Sequence, residues 1–183
     1  MKLLSSLLLL TLLSACSSSP VVFAKYQRNY DFGDIETYRF YERNSQFSDY
    51  QNLSFSFRNS IEIAIEKTLD LNGLTYVETD DSDIIVAYYI VSNSSRNFKR
   101  YNRGVRFCEY CLAAYGREDE KRTILPAYPG SLVVDLLETE HERVIWRSVG
   151  ELKLEEEDNS NQVQQKVRAM IAEMFSQIPL KGK

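Results

Sequence analysis

Cys108-Glu109-Tyr110-Cys111 is the segment whose residue types and spacing come closest to chemistry. Two thiols three positions apart can supply half of a metal site, cycle between dithiol and disulfide, or staple a turn. A structural zinc site needs four ligands, from a second such pair or from histidines. The chain holds three cysteines and one histidine, His141, in an expected hairpin turn, so neither a metal nor another cofactor is expected. Redox catalysis needs a thiolate of depressed pKa, typically at a helix N-terminus within a βαβ unit. Residues 112–120 can form a short helix after the pair, but the βαβ pattern is missing. The choice between catalysis and a structural bridge depends on the compartment.

A second cluster precedes the cysteines. Arg96, Lys99, Arg100, Arg103 and Arg106 are interleaved with Phe98, Tyr101 and Phe107, a mixture that suits phosphates and stacked rings. The net charge of −4 argues against a general polyanion binder. A solvated basic loop, balanced by Glu118, Asp119 and Glu120, is the simpler expectation. Asp80, Asp81 and Asp83 crowd a turn before a strand, which acidic turns commonly do. No nucleophile elbow and no glycine-rich phosphate loop occur, and His141, the single histidine, is the only residue type here suited to serve as a base near neutral pH. The sequence therefore predicts a non-enzymatic protein.

The N-terminus supplies the compartment. Lys2 is followed by the apolar run Leu3–Leu13, too short to span a bilayer, which takes about 20 apolar residues. Its length fits a secretory signal, about 7 to 15 apolar residues closed by small ones. Leu13-Ser14-Ala15-Cys16 resembles a bacterial lipobox, which makes Cys16 the expected lipidation site. A single acyl chain binds membranes marginally, at about 0.8 kcal/mol per buried methylene, so a stable anchor needs two or three. Ser17, rather than Asp, after that cysteine suggests the outer membrane with the domain facing the periplasm. In that oxidising compartment, with Cys16 consumed by lipid, Cys108 and Cys111 form an even pair and a structural disulfide is expected.

These residues must be positioned by a fold. Residues 1–15 are expected to be the signal peptide, 16–24 a Ser/Pro-rich tether and 25–180 a single domain. Strands are expected over Phe23–Tyr30, Ile35–Tyr41, Thr75–Glu78, Ile84–Val91, Ser131–Leu137 and Arg143–Leu154, from β-branched and aromatic content and alternation. Ile84–Val91 is apolar throughout and reads as a central strand. In the last strand Val144, Trp146, Leu152 and Leu154 face the core, while Arg147, Glu151 and Lys153 face water. Phe57, Ile61, Ala64, Ile65 and Thr68 recur at helical spacing and stop at Asn72-Gly73. Asn159 and Gln162 suggest a capping box for a terminal helix with Val163, Val167, Met170, Ile171, Met174 and Ile178 on one stripe, ended by Pro179. Residues 92–128 read as one long segment without regular structure. The class is α+β, with a mostly antiparallel sheet of five to six strands and two helices packed on one face.

The order of short motifs resembles the bacterial lipoprotein family called domain of unknown function 4136. The matching residues are Asp31-Phe32 with Thr37-Tyr38, Ile65 through Leu69 to Gly73, Ser82-Asp83-Ile84-Ile85-Val86, Gly130-Ser131-Leu132-Val133-Val134-Asp135 and Val144-Ile145-Trp146-Arg147. Ser148 stands where the resemblance leads one to expect glycine, and the two cysteines belong to none of these motifs. The resemblance implies a lipoprotein domain facing the periplasm and brings no catalytic residues.

Three functional expectations follow. The first is a lipid-anchored outer-membrane domain that binds an envelope protein partner and no nucleic acid. The second is a thiol–disulfide oxidoreductase using Cys108 and Cys111. The third is binding of lipopolysaccharide or anionic lipid through residues 96–106.

Overall fold

Seven strands form one sheet in the computed structural model, which describes residues 20–42, 51, 53–115, 125 and 127–179. The strands are β1 (Val22–Tyr26), β2 (Thr37–Phe40), β3 (Thr75–Tyr76), β4 (Ile84–Ile90), β5 (Ala113–Ala114), β6 (Ser131–Glu138) and β7 (Val144–Glu151). Their order across the sheet is β3-β2-β4-β6-β7-β1-β5. The expected count of five to six falls short because β5 is only two residues long, below the length at which alternation can be recognised. Most ladders are antiparallel, but β2 runs parallel to both β3 and β4. A helix lies between β2 and those two strands in the chain, and such a crossover is what a parallel pair requires.

The helices are α1 (Phe55–Leu71), α2 (Ser95–Gly104) and α3 (Ser160–Ser176). Helix α1 starts at Ser54, whose hydroxyl accepts from the Phe57 N–H, and ends with Gly73 at φ +85°. There the Leu74 N–H bonds to the Leu69 carbonyl and the Gly73 N–H to that of Asp70. This is the left-handed closure that glycine permits. Helix α3 opens with the reciprocal capping box of Asn159 and Gln162. Both helices pack on one face of the sheet. Ile61, Ile65, Leu69, Val167, Ile171 and Met174 meet Tyr38, Ile84, Val134 and Trp146 in the main core.

The opposite face departs from the expectation of two helices and a long irregular segment. Helix α2 and the turn after it cover that face with Tyr101, Val105 and Leu112, against Ile85, Tyr89, Val133 and Val149. Only Phe98, Tyr101 and Val105, at helical spacing, anchor α2, and the charges between them hide the period. The N-terminal boundary also shifts. Residues 22–24, expected in the tether, belong to β1, which is hydrogen-bonded between β7 and β5. The segments holding the expected signal peptide and Cys16 lie outside the described residues.

Candidate functional site

One rung of the sheet carries charge into the second core. Ala87, Asp135, Arg147 and Lys25 stand opposite one another on β4, β6, β7 and β1. Strand alternation turns Trp146 toward α3, where it stacks on Phe175 with ring centroids 5.5 Å apart. Arg147 therefore points the other way, as alternation predicts. It does not reach water, because α2 lies across that face and leaves Arg147 2% exposed. The expectation of a solvent-facing Arg147 is thereby corrected.

The buried cluster is closely satisfied. Arg147 Nε donates to Asp135 Oδ1 at 2.6 Å and Nη2 to Asp135 Oδ2 at 2.7 Å. The Tyr101 hydroxyl donates to the same Oδ2 at 2.7 Å, and Arg147 Nη1 donates to Asn102 Oδ1 at 2.8 Å. The guanidinium carbon lies 3.6 Å from the centre of the Phe107 ring. Burial, reinforced by the Asp135 charge, pushes the Tyr101 phenol well above its ordinary value, so Tyr101 serves as a fixed donor. Lys25, also buried, reaches Glu109 at 3.8 Å. This arrangement fastens α2 and the cysteine turn onto the sheet, with Asp135, Arg147, Tyr101 and Lys25 buried and Asn102, Phe107 and Glu109 partly exposed.

Cys108 and Cys111 are joined by a disulfide around a 3-10 turn over Glu109–Cys111, with Cα atoms 5.2 Å apart. The closed loop is short, so its stabilisation lies at the low end of the usual range of about 0–5 kcal/mol. It shapes the turn that carries Leu112 into the core and delivers Ala113–Ala114 to the edge of β1.

The basic residues do not act as one group. Arg96, Lys99, Arg100 and Arg103 are exposed on α2, while Arg106 sits past its end. The Phe107 N–H bonds to the Asn102 carbonyl and the Arg106 N–H to that of Arg103, with Arg106 at φ +47°. Glycine normally takes that position. Beside it a groove of about 590 Å³ gathers Arg28, Arg106 and Arg143 next to the disulfide. Arg28 and Arg143 lie far from Arg106 in the sequence, and no local pattern could have joined the three.

The other candidates resolve into scaffold. Asp83 Oδ2 accepts from the backbone N–H groups of Glu36 and Thr37 and from the Thr37 hydroxyl, at 2.7–2.9 Å. Partial burial opposes its ionisation, but these hydrogen bonds hold its pKa below the usual carboxylate value. Asp80 pairs with Arg39 at 3.6 Å. His141, in the β6–β7 turn, lies 3.3 Å from Glu138. Among the described residues no group of three or more His, Cys, Asp or Glu side chains is placed to hold a metal.

Two long-range contacts thus join short sequence motifs, Thr37 with Asp83 and Asp135 with Arg147. Residues 22–180 match the model of the family described as Domain of unknown function (DUF4136). The chain belongs to that family. A crystal structure of a DUF4136 family protein from Bacteroides thetaiotaomicron is similar at a TM-score of 0.55 and 12% identity, covering 87% of this chain and 95% of that one. A PDZ domain protein from Parabacteroides distasonis is similar at 0.50 and 15% identity, over 90% of this chain and 36% of that one. At these identities the likeness establishes the fold alone. No curated protein matches the chain. Within the DUF4136 domain Ser148, in the place expected for glycine, is fully buried and its hydroxyl has no partner among the described residues.

Proposed function

We propose that this DUF4136 protein is a lipid-anchored lipoprotein of the bacterial envelope that faces the periplasm and works by binding a partner rather than by catalysis. The observation that supports binding over catalysis is the engagement of the Asp135–Arg147–Tyr101–Asn102 cluster. The buried charges Asp135 and Arg147 are spent holding α2 on the sheet. Anchoring rests on the lipobox sequence at Leu13–Cys16. Inhibition of the lipoprotein signal peptidase with globomycin is expected to accumulate the unprocessed precursor. A normally processed, soluble product under that treatment would refute the anchoring.

A further inference from the structure

We infer that the groove beside the Cys108–Cys111 disulfide is a binding site for a phosphate group. Three separate segments meet there: the turn after β1 brings Arg28, the turn after α2 brings Arg106, and the entry to β7 brings Arg143. Among the described residues the lining includes these three arginines and no carboxylate, in a chain of net charge −4. Its volume of about 590 Å³ falls among small-ligand pockets, which span about 300–1,000 Å³.

Arg106 is the informative member. A non-glycine residue in the left-handed region is strained by its Cβ, so the helix end would be easier to form with glycine. The arginine that stands there instead contributes its guanidinium to the groove, and among the described residues this group has no ion-pair or hydrogen-bond partner. Arg143 is steadied by an ion pair, its Nε lying 2.6 Å from Glu138 Oε1. Each guanidinium presents a planar fork of donors. Forks from three segments suit a tetrahedral oxyanion, which can face several donors at once, better than one planar carboxylate. Tyr110, 84% exposed at the rim, offers a ring to whatever carries the phosphate.

The phosphate can belong to a soluble compound or to a lipid headgroup. The groove opens where β1 ends and β7 begins, at the end of the sheet opposite Val22. If the chain is anchored through Cys16, this placement favours the soluble source. The site itself does not depend on anchoring, so failure of the globomycin test leaves it standing.

The test uses the full chain in a non-ionic detergent, titrated with inorganic phosphate and followed by phosphorus NMR line width. In parallel it is co-sedimented with phosphatidylglycerol vesicles. Arg106→Gly removes the guanidinium and places glycine where the backbone favours it, so a loss of binding cannot be ascribed to misfolding. Arg106→Gly and Arg143→Gln are each expected to weaken phosphate binding about tenfold or more. The double variant Arg96→Gln/Lys99→Gln, on the exposed side of α2, stays within about twofold. Vesicle binding weakened by the groove variants alone would assign the phosphate to a headgroup and also support the site. Binding of neither probe, loss through the helix variant alone, or equal weakening by both sets would overturn it.

Discussion

Asp135 and Arg147 form a salt bridge whose value depends on how it is broken. Removing two charges from water costs several kcal/mol per ion, and only good geometry with further hydrogen bonds offsets that cost. Here the pair is bidentate, Tyr101 and Asn102 occupy further positions, and Phe107 covers the guanidinium face. Arg147→Met leaves a buried carboxylate without its cation and is expected to lower the unfolding free energy by about 3–5 kcal/mol. The triple variant Asp135→Leu/Arg147→Met/Tyr101→Phe is expected to recover most of that loss, because no charge then remains in the core. Urea unfolding midpoints compare the two. A single variant within about 1 kcal/mol of wild type would show that water already reaches the pair. Ser148 is a smaller case of the same physics, a buried hydroxyl that gains nothing from its oxygen.

At the scale of elements, the parallel pairing of β2 and β4 is closed by a side chain. Asp83, just before β4, takes up the Glu36 and Thr37 N–H groups at the start of β2. Because its folded pKa is depressed, its contribution is complete above the unfolded aspartate value of about 3.9 and is lost as pH falls through the lower folded value. Asp83→Asn is therefore expected to lower the melting temperature at pH 7, with the gap to wild type narrowing below about pH 3.9. A gap that persists unchanged to lower pH would mean that the carboxylate charge is irrelevant. The other end of the sheet shows how closely elements approach. A Cβ on Gly150 would meet the Met170 sulfur of α3 and come within 3.0 Å of Val22. The glycine there serves packing between strand and helix.

For the whole molecule, the position of β1 sets how close the domain would lie to a lipid anchor, if the chain is anchored through Cys16. Residues 17–21 are all that separate Cys16 from Val22, six steps with a reach of at most about 22 Å at 3.3–3.6 Å per residue. A domain anchored there sits close to the membrane, with the arginine groove at its far end. β1 also lies inside the sheet, so it cannot be treated as part of a leader. A chain beginning at Ser19 is expected to unfold cooperatively like the full chain. One beginning at Gln27 exposes the β7 edge and loses Val22 and Ala24 from the core, a loss on the order of 5 kcal/mol and comparable to total stability. Circular dichroism during thermal unfolding checks both, and a cooperative transition in the shorter chain would contradict the role given to β1.

Much of the scaffold was legible because it is written in local patterns. The stripes of α1 and α3, Gly73 at a left-handed helix end, the Asn159–Gln162 box and the apolar run of β4 each declare themselves within a few residues. Strand alternation likewise placed Arg147 opposite Trp146. Other features depend on what lies across space. Nothing near Arg147 in the chain says that α2 will cover it, and α2 itself was hidden because three apolar anchors among five cations read as a charged segment. The parallel pairing of β2, the two-residue β5 and the meeting of Arg28, Arg106 and Arg143 arise only when distant segments pack. The sequence by itself determined the α+β class and the family motifs. The tertiary structure decided which charges are buried as scaffold and which remain at the surface, because burial is a property of neighbours that the chain brings together only by folding.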